Sequence, residues 1–491
     1  MKTLNEIASY LSVINQPKFN VNPEIQGIQV NSQKVTESDL FICISGYTVD
    51  GHDFVDQAIK NGAVAIIAEK ELNRNDVPVL YVKDTKQTLS LIANYFYDFP
   101  SNQLHLIGVT GTNGKTSVTY LLDEIFRCNE ESTAVIGTIQ MKIGDQVYPI
   151  ANTTPEPSYL QHSFRKMVEQ NIDHCMIEVS SHALELGRVN GCDFDIAVYT
   201  NLSQDHLDFH ETMDDYLAAK LRLFSHLGNR YQLEQPKFAI INLDDQYAKH
   251  FIKATSQRVI TYGIDQEADF TARNIQLTAN GTQFTLDTGE QQIDITTPLI
   301  GKFNIYNMLA AIATAYISGV SLATISLALS QSNGVPGRFE AVKGDHDFSV
   351  IVDFAHTPDS LENVLTTIRT FATQKIYLVV GCGGDRDRTK RPLMAKVGED
   401  HADYLILTSD NPRTEDPLTI ISDMEAGLTG KEYTVEVDRK KAIEYAINLA
   451  KTGDVVLIAG KGHETTQTIG KETLPFNDYL VAQEAILNKL P

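Results

Sequence analysis

Cysteine is scarce in this sequence, and no two cysteines form a CxxC pair. The five cysteines are an odd number, spread over Cys43, Cys128, Cys175, Cys192 and Cys382. This pattern argues against a disulfide framework and against a zinc site. We therefore expect a protein of a reducing compartment, the cytoplasm.

Long apolar runs are also missing. No segment approaches the run of about 20 apolar residues that spans a bilayer, and the opening "MKTLNEIASYLSV" lacks the long apolar core of a signal peptide. Internal repeats and low-complexity tracts are absent as well. We expect no membrane insertion.

Basic residues are outnumbered by acidic ones. The sequence has 41 lysines and arginines against 63 aspartates and glutamates, which gives a net charge of -22. Such a charge repels nucleic acids and anionic membrane surfaces. The composition therefore excludes nucleic acid as a favoured partner and points to small-molecule chemistry.

The chain is long enough for about three globular domains, since one hydrophobic core rarely serves 491 residues. Residues 1–98 mix the short strands "DLFICIS", "VAIIAE" and "VPVLYV" with helical stretches, which predicts a small α/β domain. Residues 99–332 begin with a strand, a glycine turn and a helix, and continue with strands typical of a parallel sheet. Between Phe270 and Ile295 the apolar period drops to two, and "ANGT" supplies a turn, so we expect an antiparallel insert there.

The turn-rich segment "SNGVPGRFE" marks the next boundary. Beyond it, over residues 333–491, the apolar strands "SVIVDF", "KIYLVVG", "DYLILTS", "TVEV" and "DVVLIAG" alternate with helix-length amphipathic runs. This alternation predicts a Rossmann-like domain. The expected fold class is α/β in three domains, with a phosphate-loop type of sheet in the centre.

A phosphate loop is the clearest local motif. In "LHLIGVTGTNGKTSVTYLLDEIF" an apolar strand leads into a turn with Gly108, Gly111 and Gly114, and then Lys115 and Thr116 open a helix. Glycines let backbone N–H groups surround a phosphate, the lysine reaches the β and γ phosphates, and the threonine can hold Mg²⁺. The GxxxxGK spacing is incomplete, because valine stands at the first glycine position. A strand–turn–helix without a ligand is the alternative.

Candidate Mg²⁺ ligands follow two further strands. Glu178 ends the strand in "HCMIEVSSH", and His206 follows the strand in "AVYTNLSQDH". Carboxyl ends of parallel strands lie at one edge of a sheet, so both side chains are expected near the phosphate loop. A single histidine is by itself more often structural. Lys220, in "YLAAKLRLF", has the pattern of an ordinary lysine on a helix surface.

A second group of polar loops lies in the last domain. The loops "GCGGDRD", "TSDNPR" and "AGKGHE" each follow an apolar strand, so Arg386, Arg413 and Glu464 are expected to face one crevice. Two guanidinium groups and a carboxylate suit an amino acid ligand with carboxylates and an ammonium group. The alternative is a local ion pair of Arg413 with Asp410 or Asp416.

A set of motifs in one order resembles the Mur ligases over nearly the whole chain. The motifs are "GTNGKT", "NTTPEP", "EVSSHAL", "NLSQDHLDFH", "YLAAK", "GKFNIYN", "VPGRFE", "VDFAHTPDSL", "GCGGDRDRTKRP", "DNPR" and "AGKGHE". The resemblance implies that the three domains bind a UDP-sugar, ATP and an amino acid in turn. It also implies that catalysis depends on Lys115, Glu178, His206, Lys220 and Arg338.

The family pattern implies binding residues for each ligand. Mg²⁺ is expected at Thr116, Glu178, His206 and Lys220, the last converted to a carbamate. ATP is expected at Gly111, Thr112, Asn113, Gly114, Lys115, Thr116, Ser117, Asn304, Arg338 and Asp353. The UDP-muramoyl peptide is expected at Ser32, Asn152, Thr153, Thr154, Ser180 and Arg188, with the uridine half also near the loop "GYTVDGH". The amino acid is expected at Arg386, Asp410, Asn411, Pro412, Arg413, Gly460 and Glu464.

One departure concerns the uridine half of the substrate. Where relatives often have Asp-Ser-Arg, this sequence has Asn31, Ser32 and Gln33, which removes two charges. The motif "DNPR" resembles the version of the family that adds diaminopimelate. The resemblance thus implies ATP-dependent joining of meso-diaminopimelate to UDP-N-acetylmuramoyl-L-alanyl-D-glutamate through an acyl phosphate, by a monomer. Alternatives are a lysine-adding Mur ligase, a folylpolyglutamate synthetase and a phosphate-loop switch protein.

Overall fold

The structure is a computed structural model that describes residues 1–11, 17–46, 49–231, 235–278, 281–344, 347–430 and 432–489. The turn predicted in "ANGT" and the loop "GYTVDGH" each lie partly outside the described residues. Within the described ranges, no helix is both long enough and apolar enough to cross a bilayer.

The first part of the chain alternates short strands with helices, as predicted. Its elements are β1 (Lys2–Thr3), α1 (Leu4–Leu11), β2 (Glu24–Ile25), β3 (Gly27–Gln29), β4 (Asp39–Ile42), α2 (Val55–Lys60), β5 (Ala63–Ala68), β6 (Val79–Tyr81) and α3 (Thr85–Phe96). Strands β3, β4, β5 and β6 form a parallel sheet in that order.

The middle part of the chain contains strands of both kinds of pairing. Its elements are β7 (His105–Thr110), α4 (Lys115–Cys128), β8 (Thr133–Ile136), β9 (Met141–Ile143), β10 (Gln146–Tyr148), α5 (Pro157–Glu169), β11 (His174–Glu178), α6 (Ser181–Glu185), β12 (Ile196–Tyr199), α7 (Met213–Ser225), β13 (Phe238–Asn242), α8 (Ala248–Ala254), β14 (Arg258–Gly263), β15 (Phe270–Thr278), β16 (Gly281–Asp287), β17 (Gln292–Thr297), α9 (Lys302–Ile317) and α10 (Leu322–Ser330). The antiparallel insert is confirmed, because β15, β16 and β17 pair antiparallel.

The last part of the chain is a doubly wound sheet. Its elements are β18 (Glu340–Ala341), β19 (Ser349–Asp353), α11 (Pro358–Arg369), β20 (Ile376–Val380), α12 (Lys390–His401), β21 (Tyr404–Leu407), α13 (Pro417–Glu425), β22 (Tyr433–Val435), α14 (Arg439–Leu449), β23 (Val455–Ala459), β24 (Thr466–Ile469), β25 (Glu472–Pro475) and α15 (Asp478–Lys489). The strand order is β18-β19-β23-β20-β21-β22, and all neighbours except β18 and β19 pair in parallel.

Packing divides the described chain into two compact units. The first unit comprises Met1–Gly108, Ser132–Ile196 and Tyr231–Lys237, and the second comprises Val109–Glu131, Ala197–Arg230 and Phe238–Pro491. In the first unit β8 pairs in parallel with β11, and β9 and β10 extend this sheet antiparallel. The predicted domain boundaries at residues 98 and 332 stay a prediction.

The second unit contains a helix that is apolar on nearly all sides. Helix α9, from the sequence "KFNIYNMLAAIATAYI", packs against α4, β13, β14 and β15 and has eleven buried residues. A helix without a polar face is stable only when it is covered on most sides. In the last part of the chain, α11, α12 and α13 cover one face of the sheet, and α14 and α15 cover the other. The α/β fold class is confirmed.

Candidate functional site

The phosphate loop spans residues 111–114, between β7 and α4. Gly111 has φ 150° and Gly114 has φ 88°, a backbone region that disfavours other residues. A Cβ atom on residue 111 would lie 1.9 Å from Thr200 Oγ1, and a Cβ atom on residue 114 would lie 2.3 Å from Asn307 Oδ1. Both glycines are therefore required by space as well as by conformation.

Two lysines meet at this loop. Lys115 Nζ donates to the carbonyl oxygens of Gly111 and Thr112 at 2.9 and 2.8 Å, and Lys220 Nζ donates to the Gly111 oxygen at 2.8 Å. Lys220 is only 1% exposed, so the expectation of an ordinary surface lysine is wrong. Burial, and then the charge of Lys115, hold the pKa of Lys220 well below its usual value.

An open cavity of about 340 Å³ lies beside the phosphate loop in the second unit. This volume is within the range of about 300–1,000 Å³ of small-molecule sites. Its lining residues come from both the middle and the last parts of the chain: Asn113, Gly114, Ser117, Thr200, Asn201, Asn242, Asp244, Asp245, Tyr262, Lys302, Phe303, Tyr306, Asn307, Arg338, Asp353, Phe354, Ala355, Asp359, Ser360, Asn363 and Val364.

Arg338 and Asp353 lie where the cavity approaches the phosphate loop. Arg338 Nη2 donates to Thr116 Oγ1 at 3.2 Å, and its guanidinium carbon lies 4.4 Å from the ring centre of Phe354. Burial raises the pKa of Asp353, and both of its carboxylate oxygens accept backbone N–H groups. The structure thus brings Arg338 into contact with Thr116, although more than 200 residues of sequence separate them.

Asn304 does not line the cavity, and neither do four other predicted ATP residues, Gly111, Thr112, Lys115 and Thr116. Its Nδ2 donates to the Ile300 oxygen at 2.8 Å. Its neighbours Phe303, Tyr306 and Asn307 are the ones that reach the cavity wall. Asn304 therefore stabilises the start of α9 in this structure.

His206 belongs to a charged cluster centred on a buried aspartate. The Nε2 atoms of His206 and His356 lie 3.4 and 3.6 Å from Asp205 Oδ2, and Lys390 Nζ lies 3.6 Å from Asp205 Oδ1. Burial alone would raise the pKa of Asp205, but the hydrogen bond with His356 and the nearby charges bring that pKa well below its usual range. Sequence reasoning missed Asp205, which adjoins His206 and gives no local signal of its burial, and it missed His356 and Lys390, which lie far from Asp205 in the chain.

Glu178 is fully buried in the first unit. Its Oε1 accepts the backbone N–H of Thr138 at 2.8 Å, and its Oε2 accepts the hydroxyl of Thr138 at 2.9 Å. The hydroxyl oxygen of Thr153 lies 3.2 Å from that of Thr138, while Asn152 is exposed. Within the described ranges, no three His, Cys, Asp or Glu side chains converge as a metal site.

The other predicted substrate residues of the first unit form a connected group. Thr154 Oγ1 donates to the Glu178 backbone oxygen at 2.8 Å and accepts from the Ser180 backbone N–H at 3.1 Å. Arg188 Nη1 donates to the Thr154 oxygen at 3.2 Å, and its Nη2 pairs with Glu156 at 2.8 Å. Arg188 Nε is buried and has no hydrogen-bond partner among the described residues. This N–H remains available for an anionic ligand.

Ser32 is buried, and its hydroxyl and carbonyl groups form hydrogen bonds with other residues of the protein. Its hydroxyl donates to Gln57 Oε1 at 2.9 Å, and its carbonyl oxygen accepts from Asn61 Nδ2 at 2.8 Å. Asn31 Oδ1 accepts the Gln33 backbone N–H at 2.9 Å and so caps a short 3-10 helix. The asparagine that replaces the usual aspartate therefore has a structural role.

The structure brings together the three polar loops of the last part of the chain, which follow β20, β21 and β23. The Gly384 N–H donates to the Asn411 oxygen at 2.9 Å, which joins the first loop to the second. A Cβ atom on Gly460, which has φ 115°, would lie 2.8 Å from Asp410 Oδ2. The second loop also packs closely against the first, since a Cβ atom on Gly384 would lie 1.9 Å from the carbonyl oxygen of Pro412.

Arg386 and Arg413 lie side by side in this crevice. Each donates to a backbone oxygen of the first loop, Arg413 to Gly384 at 2.7 Å and Arg386 to Asp385 at 2.9 Å. Neither makes an ion pair with a carboxylate within the part of the chain that the structure describes. The alternative of a local pair is wrong, because the Asp410 carboxylate accepts the Asn411 backbone N–H and Asp416 caps α13.

The guanidinium group of Arg413 is held in an unfavourable environment. Burial, and then the charge of Arg386, lower the pKa of Arg413. Its backbone has φ 51° and is fixed by Thr468 and Gly470, whose oxygen and N–H bond to it at 3.1 and 2.7 Å. Strained residues persist only where the surroundings enforce them. An anionic ligand would relieve this arrangement.

Arg391 connects the loops that carry Arg386 and Arg413. It is fully buried, its Nη2 and Nη1 bond to Glu415 at 2.7 and 2.9 Å, and its Nη1 bonds to Asp423 at 2.8 Å. The backbone N–H of Asp385 donates to the same Glu415 carboxylate at 2.6 Å. Sequence reasoning missed Arg391, since a basic run such as "DRDRTKRP" does not reveal which arginine is buried.

A phosphate loop next to a cavity of nucleotide size, together with a separate crevice that carries two guanidinium groups, is typical of a class of nucleotide-dependent enzymes. Sequence profiles of one family match over well more than half of the chain. They are the "Mur ligase family, catalytic domain" at residues 24–97, the "Mur ligase middle domain" at residues 109–315, and the "Mur ligase, glutamate ligase domain" at residues 337–462. The chain belongs to the Mur ligase family.

Individual relatives are similar over almost the full length. A UDP-N-acetylmuramoyl-L-alanyl-D-glutamate--2,6-diaminopimelate ligase of Bacillus cereus is 54% identical over 96% of this chain and 95% of its own. The enzyme of the same name from Bacillus velezensis is 53% identical over 99% of both chains. A solved structure with that name is 35% identical, with a TM-score of 0.67 over 97% of this chain and 98% of its own.

Proposed function

We propose that this chain is an ATP-dependent ligase that joins meso-diaminopimelate to UDP-N-acetylmuramoyl-L-alanyl-D-glutamate in the synthesis of a peptidoglycan precursor. The observation that carries the proposal is the pair Arg386 and Arg413, two neighbouring guanidinium groups without a carboxylate partner in the described chain. The names of the relatives that are about half identical to this chain support the same reaction.

The chemistry requires an activated carboxylate. ATP transfers its γ-phosphoryl group to the substrate carboxylate, which forms an acyl phosphate and ADP, and the amine then attacks the acyl carbon and releases phosphate. Lys115 and Arg338 are the cations that we infer act on the phosphates, because Lys115 contacts the phosphate loop and Arg338 contacts Thr116 in the first turn of α4. Their contribution is positioning and charge stabilisation, as in other phosphoryl transfers.

We infer that Mg²⁺ accompanies ATP and is held by Thr116, His206 and a carbamate on Lys220. The low pKa of Lys220 supports this inference, since only a neutral amine adds to carbon dioxide. A hydroxyl, an imidazole and a carbamate form a donor set rich in oxygen, which suits Mg²⁺. The bound ion would neutralise charge on the phosphates. Glu178, in the first unit, stays a predicted ligand on the family resemblance.

The amino acid is distinguished by its charges. Diaminopimelate carries one carboxylate more than lysine, and that carboxylate would pair with Arg413. Lysine would leave this half-buried guanidinium without a carboxylate partner, at a cost of about 1–3 kcal/mol. Glutamate, which a folylpolyglutamate synthetase adds, also carries two carboxylates but lacks the second ammonium group that the Glu464 carboxylate would bind. A phosphate-loop switch protein would have no use for an amino acid crevice. Cytoplasmic location and a monomeric state stay predictions.

Product mass analysis tests the proposal. The protein is incubated with ATP, Mg²⁺ and UDP-muramoyl dipeptide, and with diaminopimelate, lysine or glutamate in parallel. We expect a product larger by one dehydrated diaminopimelate residue, together with one ADP for each product molecule. Product with lysine alone would assign the lysine-adding reaction, and ATP hydrolysis without any ligated product would assign a switch protein.

Arg413→Ala tests the observation behind the proposal. We expect kcat/KM for diaminopimelate to fall by roughly 10- to 100-fold, which corresponds to about 1.4–2.8 kcal/mol. The matched control is Arg388→Ala in the neighbouring loop, since Arg388 is exposed and pairs with Asp423 on the surface. Unchanged turnover of diaminopimelate by Arg413→Ala would remove the carboxylate-binding role from this residue.

A further inference from the structure

Lys461 is a fully buried lysine at the edge of the proposed amino acid crevice. It follows β23 and lies between Gly460 and Gly462. Its Nζ donates to Glu464 Oε2 at 2.7 Å and to Asn411 Oδ1 at 3.1 Å. Lys461 therefore contacts two predicted binding residues at once, although it was not itself predicted to bind any ligand.

The lysine fixes the orientation of the Asn411 amide. Asn411 Oδ1 accepts from Lys461 and also from the Thr468 backbone N–H at 2.9 Å, while Asn411 Nδ2 donates to Glu464 Oε2 at 2.8 Å. Two donors on one side and a carboxylate on the other allow only one orientation of the amide. One N–H of Asn411 then remains for a ligand.

The same contacts fix the Glu464 carboxylate. Oε2 accepts two hydrogen bonds, from Lys461 and Asn411, whereas Oε1 has no hydrogen-bond partner among the described residues. A carboxylate held by one oxygen keeps the other in a defined direction, and this oxygen is a strong acceptor for an ammonium group. The proposed ligand has such a group on the carbon that also carries its distal carboxylate.

Charge balance supports the same conclusion. Lys461 compensates Glu464 inside the protein, so the guanidinium groups of Arg386 and Arg413, neither of which has an ion-pair partner among the described residues, remain for the carboxylates of a ligand. The crevice therefore favours a ligand with two carboxylates. An ion pair with one buried partner is weak evidence for stability, because apolar side chains of similar volume often replace buried pairs without loss. A role in recognition explains the lysine better.

We propose that Lys461 is a positioning residue that orients Glu464 and Asn411 and thereby selects a diamino diacid by its distal ammonium group. The proposal rests on the proposed function, because it assumes that Arg413 binds the distal carboxylate. Lys461 itself does not touch the substrate. Its effect reaches the substrate through the free oxygen of Glu464 and the remaining N–H of Asn411.

The test compares diaminopimelate with 2-aminopimelate, which has both carboxylates but lacks the distal ammonium group. We expect the intact protein to prefer diaminopimelate. In Lys461→Met, KM for diaminopimelate should rise by about 10-fold or more, as for a lost charged hydrogen bond. KM for 2-aminopimelate and KM for ATP should stay within about twofold, since neither ligand uses Glu464.

Glu464→Gln is the second variant and does not depend on how well Lys461→Met folds. Glu464 is partly exposed, and glutamine keeps its shape while removing the charge. It should lose the same preference, and the double variant should be no worse than either single one, because both act on one contact. Lys440→Met, on the exposed face of α14 with Glu484 as its partner, is the matched control and should behave as the intact protein does.

Three results would overturn the inference. Lys461→Met could lower kcat equally for both amino acids, or it could raise KM for ATP. Either result would indicate that Lys461 has a structural role only. Glu464→Gln could retain the full preference for diaminopimelate. Alternatively, the intact protein could use lysine and reject both diacids, and in that case the proposed function fails first and this inference falls with it.

Discussion

Two buried lysines show how much the surroundings of a residue decide its chemistry. Lys461 is paired with the Glu464 carboxylate, so its charge is compensated where it lies. Lys220 is equally buried, but its Nζ bonds to the Gly111 carbonyl oxygen, and Lys115 bonds to the same oxygen. Burial without a carboxylate partner favours the neutral amine. The charge of Lys461 is therefore compensated by a carboxylate, whereas we propose that Lys220, as a neutral amine, is a nucleophile towards carbon dioxide.

We predict that Lys220 takes up carbon dioxide. The measurement is carbon-13 NMR after incubation with labelled bicarbonate, in which a carbamate signal should appear for the intact protein and be absent for Lys220→Met. Ligase activity of the variant should fall by about 100- to 1,000-fold, as expected when several kcal/mol of charge stabilisation are lost.

The matched control for Lys220 is Lys253→Met, at the exposed end of α8. It should retain both the carbamate signal and the activity. A Lys220→Met protein that keeps the labelled signal would show that the carbamate lies elsewhere.

At the scale of elements, the crevice is built from three loops, and a buried guanidinium joins two of them. The hydrogen bond from Arg391 is the largest cause that lowers the pKa of Glu415, to about 2 from the usual 4.5, and a backbone N–H of Asp385 adds to it. The loop that carries Arg413 is thus tied by charge to the loop that carries Arg386. Loss of the Glu415 charge should loosen both loops.

This ion pair predicts a pH dependence of stability. The pKa of Glu415 is lower in the folded than in the unfolded chain, so its stabilisation is present above about pH 4.5 and is lost as the pH falls towards about 2. We expect the intact protein to exceed Glu415→Gln in free energy of unfolding at pH 6, and this difference to shrink by pH 3.5. Urea unfolding at several pH values measures it.

Arg391→Met provides the reciprocal variant for this prediction. It should remove the same pH-dependent difference, because Glu415 then has no guanidinium partner. A difference between the intact protein and Glu415→Gln that stays constant from pH 6 to pH 3.5 would show that the ion pair does not lower this pKa.

At the scale of the whole molecule, the predicted ligand residues divide between the two units. Ser32, Thr154, Arg188 and Glu178 belong to the first unit. The phosphate loop from Gly111 onward, the cavity and the proposed amino acid crevice belong to the second. A ligand that binds to the second unit should therefore change the hydrogen exchange of backbone amides mainly in that unit.

We predict that MgATP protects backbone amides of the second unit from hydrogen exchange, above all around the phosphate loop and the start of α11. At a concentration 100 times Kd, binding should stabilise the protein by about 2.7 kcal/mol. Gly114→Ala should abolish the protection, because its Cβ atom would lie 2.3 Å from Asn307 Oδ1. Hydrogen exchange with mass spectrometry measures both.

Gly289→Ala is the matched control for the glycine variant. Gly289 also has a positive φ, 77°, but a Cβ atom there would meet nothing within 4 Å. It should keep the protection by MgATP. Protection by MgATP confined to the first unit would contradict the position of the nucleotide site.

Much of the architecture was predictable because it depends on local pattern. The parallel strands of the last part of the chain are continuous apolar runs, and the start of α13 at Asp416 and Pro417 follows from the preferences of those residues for a helix N-terminus. The antiparallel insert was visible as a period of two. Less local features, such as the complete burial of Arg391, have no periodic signal.

The sequence by itself determined the α/β class, the phosphate loop with Lys115 and Thr116, and the presence of Arg386, Arg413 and Glu464 after apolar strands. Those features depend on the spacing of neighbouring residues, which a linear chain displays directly. Only the tertiary structure decided that Lys220 is buried with a low pKa, that His356 and Lys390 lie next to Asp205, and that Lys461 forms an ion pair with Glu464. The physical reason is that burial and charge pairing depend on residues distant in the chain, which only folding brings together.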